Sequence, residues 1–109
     1  MATNTFKNYF SKSVGTSAAT IYTCPSATQT TVIGMSIGNT TSSPITCDVY
    51  VTSSAVDYYL VKGATVPVGG SLVPIGGDQK LCLEAADVLK VVSSAASSAD
   101  VICSLLEIA

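Results

Sequence analysis

The chain has 109 residues and a net charge of −2, with 48% hydrophobic residues, only 11% charged ones and no histidine. That length suits one domain burying its own core, and the missing histidine removes the commonest general base and metal ligand. The cations are five scattered lysines, Lys7, Lys12, Lys62, Lys80 and Lys90. With no arginine fork for phosphates or base edges, they argue against nucleic-acid binding.

A typical globular chain is about 25% charged. Here Ser and Thr, roughly a quarter of the residues, take the place of the missing ions, and Thr suits an exposed strand face. Short hydroxyls lose little side-chain entropy on burial, and low net charge favours association. The composition therefore predicts a subunit whose outside is covered by copies of itself or by a partner. MATNTFKNYF has no apolar signal region, so no secretion is expected, and no run approaches a membrane span. The Asn39-Thr40-Thr41 sequon is on that reading accidental.

In chain order, Thr5 to Val14 reads as a strand with Phe6, Phe10 and Val14 on one phase, interrupted by Asn8 and Lys12. It is either an edge strand or an arm, over residues 1–14, that reaches a neighbouring subunit. Gly15-Thr16-Ser17 turns the chain, and a second strand, about Ala19 to Cys24, stops at Pro25. Thr30 to Ile37 follows, with Ile33, Met35 and Ile37 alternating against Gly34 and Ser36. The cluster Gly38 to Pro44 is a turn. Ile45 to Thr52 is the cleanest alternation: Ile45, Cys47, Val49 and Val51 against Thr46, Asp48, Tyr50 and Thr52. Ser53-Ser54-Ala55 leads to a run from Val56 to Lys62 that carries Tyr58 and Tyr59.

An internal echo comes next, Val66-Pro67-Val68-Gly69-Gly70 and then Val73-Pro74-Ile75-Gly76-Gly77. Each unit predicts a short extended piece closed by a tight turn, and its proline confines it to a sheet edge or a strand start. Lys80 to Glu84 and Val88 to Val92 alternate, and the short connector Ala85-Ala86-Asp87 predicts a hairpin. Ser93 to Ala99 is a small-residue loop. In Asp100 to Ile108, Val101, Cys103 and Leu105 oppose Ile102, Ser104, Leu106 and Ile108. Apolar on both faces, this strand belongs in the middle of a sheet or at a subunit interface. Eight or nine short strands at this rhythm predict one all-β domain over residues 1–109, an antiparallel β-sandwich of jelly-roll type.

No catalytic, cofactor or metal site is expected. Asp78, Glu84, Asp87 and Asp100 lack a calcium-loop spacing or a partner base; Asp87 fits a turn and Asp100 a strand start. No Ser sits in G-x-S-x-G, and without histidine no familiar triad forms. Cys24, Cys47, Cys82 and Cys103 are too dispersed for zinc. Cys47 and Cys103 follow the apolar phase of their strands and read as small core residues, and without secretion disulfides are disfavoured. Tyr50, Tyr58 and Tyr59 suit packing, a protein interface or a sugar-stacking platform.

Thr5 to Val14, Gly15-Thr16-Ser17 and Tyr22-Thr23-Cys24-Pro25 resemble the opening of small virion structural proteins of tailed bacteriophages, notably those of marine and cyanobacterial hosts. Gly76 to Lys80, the Leu83-Glu84 to Asp87 turn, Val91 to Ser98 and Ser104 to Ile108 are similar to their closing part. The resemblance spans nearly the whole chain through short, simple motifs. In it the cysteine positions are often Val, which suits Cys47 and Cys103 as core residues. It implies a non-enzymatic part of a virion assembled in the host cytoplasm. The leading expectation is a decoration or cement protein, a homo-oligomer (a trimer favoured) bound to the major capsid protein or another virion protein, with no nucleic acid and no membrane. The candidate contact residues are Phe6, Phe10, Tyr50, Tyr58, Tyr59, Leu105 and Ile108. A tail, neck, baseplate or fibre module touching host glycans through the tyrosines, or a free carbohydrate-binding module, are the alternatives.

Overall fold

The computed structural model describes residues 3–76 and 79–109. In it the alternating runs form nine strands: β1 Asn4–Val14, β2 Ala19–Thr23, β3 Gln29–Asn39, β4 Ile45–Ser53, β5 Val56–Val66, β6 Ser71–Ile75, β7 Leu81–Leu83, β8 Val88–Ser93 and β9 Ala99–Ile108. A front sheet has the order β1-β9-β3-β6, with β7 also beside β3, and a back sheet has the order β2-β8-β4-β5. Every pairing is antiparallel. The chain changes sheet at most connections, and this strand order is that of a jelly roll. The fold class is the β-sandwich expected from the sequence.

The core lies between the sheets. Ile45, Cys47, Val49 and Val51 from β4, and Val101, Cys103 and Leu105 from β9, are all buried, as their alternation requires. Met35, Ile37, Ile75, Leu83, Leu89 and Val91 fill the space between them. Burial pushes the thiol of Cys103 up to about 11 and raises that of Cys47, as expected for residues serving as small hydrophobes.

Two bulges correct the expected phases. Ile33 is the extra residue between Val32↔Leu105 and Gly34↔Ser104, so it leaves the buried phase that Met35 and Ile37 keep. In β1 the register slips between Ser11 and Val14, where Ser13 takes a φ of 56°. Its N–H donates to Asp100 Oδ1 at 2.9 Å. This kink turns Val14 into the core while Phe6 and Phe10 stay on the outer face, so the three do not share a face. The run from Val56 also extends to Val66 rather than ending at Lys62, because a left-handed Gly63 bulge, its N–H held by Asp48 Oδ1 at 2.7 Å, lets pairing resume.

The expected hairpin between residues 80 and 92 is also corrected. β7 pairs with β3 in the front sheet, while β8 pairs with β2 and β4 in the back sheet. The connector is a sheet-to-sheet corner. Ala86 has a φ of 74°, and the Asp87 carboxylate accepts from the Glu84 N–H and the Ser53 hydroxyl. Cys24 and the corner exchange backbone bonds, Cys24 N–H to Asp87 O and Ala86 N–H to Cys24 O, which turn the ladder donors of the two runs to different partners. Of the proline echo, Pro74 lies in the edge strand β6, as expected, whereas Pro67 is in no strand: β5 ends at Val66 and Pro67 sits in the turn closed by Gly70 N–H to Pro67 O. Gly77 and Asp78, part of the second turn, lie outside the described residues.

β4 and β5 are joined by a two-residue loop, Ser54-Ala55, flanked by the pair Ser53↔Val56, with φ values of 52° and 63°. This is the geometry that Asn-Gly adopts without strain. Ala55→Gly should therefore raise the unfolding free energy by about 1 kcal/mol in a urea titration; a loss would show that the loop is not held left-handed. Leu105→Ala, at a side chain with 0% exposure, should cost about 3 kcal/mol by the same measurement.

Candidate functional site

The outer side of the front sheet is built from the residues that alternate away from the core. From β1 they are Phe6, Asn8 and Phe10; from β9, Ile102, Ser104, Leu106 and Ile108. Register places Phe6 beside Leu106 and Phe10 beside Ile102, with Asn8 beside Ser104 between them. Across β9, Leu106 faces Thr31, Ser104 faces Gly34 and Ile102 faces Ser36 on β3. Beyond β3, Cys82 continues the Thr31 row, and Val73 borders a dent of about 260 Å³ with Gly34, Ser36, Ile102 and Ser104. A second dent of about 300 Å³ is lined by Phe6, Asn8, Ile33 and Ser104.

This face is wet and apolar. Phe6 is 74% exposed, Phe10 69%, Val73 61% and Ile102 52%. Large apolar side chains clustered on one surface mark a binding surface, whereas the same residues scattered singly would not. Lys12 and Asp100 pair with each other at 3.2 Å at one end of the face, and Lys80 and Glu84 follow the outward phase of Cys82 at its β7 margin. Hydrogen bonds from the Ser13 N–H, then from Lys12, hold the Asp100 carboxyl below its usual range.

The back sheet is different. Tyr50 is 8% exposed because Tyr59 covers it, with ring centroids 4.9 Å apart. Lys62 Nζ stands 4.7 Å from the Tyr59 ring centre and Lys90 Nζ 6.0 Å from that of Tyr50. The rings a sugar would stack on are thus already engaged by each other and by ammonium groups, while Tyr58 remains exposed further along β5.

The candidate contact residues are therefore split. Phe6, Phe10 and the half-buried Ile108 belong to the front sheet's outer face, and Tyr58 and Tyr59 to the back-sheet edge strand β5. Leu105 is removed from the contact set: it points inward and is fully buried, since it shares the phase of Val101 and Cys103. Tyr50 is also covered from within the chain. Ile33, Val73, Ile102 and Leu106 join the face without having been singled out as contacts. The two-sided apolarity of β9 was the signal for Ile102 and Leu106; only the Ile33 bulge and the β3–β6 pairing bring in the other two.

Sequence reasoning also missed a buried polar group at the β2 end of the sandwich. The Tyr22 hydroxyl donates to Glu107 Oε2 at 2.5 Å and lies 2.8 Å from Thr30 Oγ1. Lys7 Nζ binds Glu107 Oε1 at 2.9 Å. Tyr9 packs on Tyr22 with centroids 5.0 Å apart, tying β1 to β2 across the sandwich. Desolvation, then the bond to Glu107, pushes the Tyr22 hydroxyl well above its usual range. The bonds from Tyr22 and Lys7 pull Glu107 below the ordinary carboxylate value.

The remaining acids have structural partners or open settings. Asp87 caps the corner, as its turn reading anticipated, and Glu84 borders an open depression with Ala27, Thr28, Gln29 and Ile108. Asp78 lies outside the described residues. Among the described residues no group of three or more Cys, Asp or Glu is placed to hold a metal ion. Asn39 of the sequon is buried, its amide donating to Ser43 O and Val66 O. All four cysteines are free, and only Cys82 is exposed.

No family model matches this chain, and no curated protein does. Among solved structures it is similar to a subunit of the Bacillus endospore appendages, described as a novel family of disulfide-linked pili. That match has a TM-score of 0.56 and 16% identity over 97% of this chain and 86% of that one. A chain of infectious bursal disease virus Gt strain matches with a TM-score of 0.42 and 6% identity, over 98% of this chain and 35% of that one. The first likeness supports the β-sandwich fold.

Acid should expose the polar group at the β2 end. Hydrogen bonds from Tyr22 and Lys7 hold Glu107, and those from Ser13 N–H and Lys12 hold Asp100, below their ordinary carboxylate values. Their contributions are present above the ordinary carboxylate range of the unfolded chain and are lost as pH falls through the lower, folded values. Glu107→Gln should cost about 2 kcal/mol at pH 7 and flatten the acid limb of the urea-stability profile. An unchanged acid limb would show that Glu107 does not carry it.

Proposed function

We propose that this chain is a non-enzymatic structural subunit of an ordered particle and works by burying the outer face of its front sheet. The observation that carries the reading is the apolar cluster Phe6, Phe10, Val73 and Ile102, exposed on a surface whose charges stand at its margins, Lys12 paired with Asp100 at one end and Lys80 and Glu84 beside Cys82. Covering such a face returns about 25 cal/mol for each Å² of apolar area, before association costs. Repetition over a symmetric lattice multiplies weak contacts into firm attachment.

Within that class, the virion of a tailed phage is the setting, and decoration of its capsid the role, that the sequence resemblance favours. Jelly rolls are frequent in capsid and lectin domains, which is an analogy of fold alone. Glycan contact by a tail module is less favoured, because Tyr59 is occupied by Tyr50 and Lys62. A disulfide-linked polymer like the pili of the structural neighbour is also less favoured. Cys82 is the one thiol at the surface, and a covalent chain of subunits needs two linkages on each.

Quantitative mass spectrometry of purified particles tests the placement. On the order of hundreds of copies per particle is the result expected of a head decoration, whereas about a dozen would move the chain to the tail. Absence from particles, with the protein recovered free, would overturn the proposal.

A further inference from the structure

We infer that the occupant of the front sheet's outer face is a second copy of this chain, packed face to face about a two-fold axis. The inference rests on reading that face as an assembly surface. Three features of the face point to a copy of itself.

The first is relief. Phe6 and Phe10 form a ridge along β1 at one side, while Gly34 and Ser36 on β3, with Ser104 between Ile102 and Leu106 on β9, leave a low strip toward β3, bordered by the two dents. A two-fold axis running along the strands lays the ridge of each copy over the low strip of the other. Both contacts then form with one surface patch.

The second is charge. Lys12 pairs with Asp100 at one end of the face, and Lys80 and Glu84, of opposite sign, flank Cys82 at its β7 margin, so among the described residues the face carries no net charge to repel a second copy. The back sheet's outer face, with Lys62 and Lys90 over its tyrosines, would set ammonium groups against ammonium groups.

The third is size. Four strands at about 4.8 Å and the ten residues of β9 at about 3.3 Å span roughly 19 by 33 Å, about 600 Å² in projection. The corrugated accessible area is larger than this projection and approaches the ~800 Å² per partner of a stable interface. Sheets packed in this way keep their strands within about 30° of parallel, the arrangement that a two-fold axis along the strands produces. The expected trimer would need two different patches on each copy; a self-complementary face needs one and closes on two.

Cys82 reports on this contact in the unmodified protein. It lies in the row Phe6–Leu106–Thr31–Cys82, the other three cysteines are buried, and pairing covers it. Sedimentation of the full chain over a concentration series under reducing conditions should show a monomer–dimer equilibrium. Labelling of Cys82 by a thiol reagent should slow by about 10-fold or more where the dimer is saturated. Ile102→Asp and Phe10→Lys alter exposed side chains, so they should keep the β-sheet circular dichroism, sediment as monomers and label at the dilute rate. Val56→Asp, on exposed β5 of the back sheet, should leave the dimer intact. A wild-type chain that stays monomeric at all concentrations, forms a trimer, or dimerises unaffected by Ile102→Asp and Phe10→Lys overturns the pairing. If such a monomer still co-sediments with phage heads and Ile102→Asp releases it, the face is an assembly surface and only its occupant was misassigned. Loss of head binding as well would remove both readings.

Discussion

Strand β9 is the member on which the molecule depends, because its inner side stands at the centre of the front half of the core, between β1 and β3. Val101, Cys103 and Leu105 close against Val49, Leu89 and Val91 of the back sheet, and hydrogen-bonded neighbours on both edges fix β9 in place. A strand held this way presents its remaining side chains outward whatever they are. Here those side chains are Ile102, Leu106 and Ile108, so one rigid strand both builds the core and displays an apolar surface. The surface is consequently pre-formed, and covering it requires little ordering of backbone.

The sheet edges are treated unequally. β2 is five residues long, β6 carries Pro74, and β5 is kinked at Gly63, all devices that discourage strand addition. β1 is eleven residues long and regular until its bulge at Ser13, and it turns Lys7 inward to Glu107. An inward charge at an edge also discourages pairing. Association is thereby directed away from the edges and toward the face, where Phe6 and Phe10 stand.

The two outer faces show how a charge-poor chain spends its few ions. On the back sheet, Lys62 and Lys90 cover tyrosine rings that would otherwise be open apolar surface. On the front sheet the Lys12–Asp100 pair sits at one end, and Asp100 also holds the bulge that turns Val14 inward. The middle of the front face, between that pair and Lys80 and Glu84 beside Cys82, is left without ionic groups among the described residues.

From the sequence alone came the all-β class, the strand rhythm, the placing of Pro74 at a sheet edge, and the inward phases of β4 and β9. These are properties of local alternation, because a period of two commits each side chain to one face as soon as the strand exists. Legible too was the two-sided apolarity of β9, which is half of the candidate surface. Tertiary structure decided the rest. Whether Leu83 and Val88 belong to one hairpin or to opposite sheets depends on which strands accept their hydrogen bonds, and nothing within residues 80–92 encodes that choice. The bulges at Ile33 and Ser13 reverse a phase by one residue, and the Ser13 bulge is held by Asp100 from the far end of the chain. Tyr22, Thr30, Lys7 and Glu107 meet only because β2 and β1 close over each other, and Val73 reaches Ile102 only across β3. Alternation is local, but pairing partners are not, and so the faces could be read from the chain while their neighbours could not.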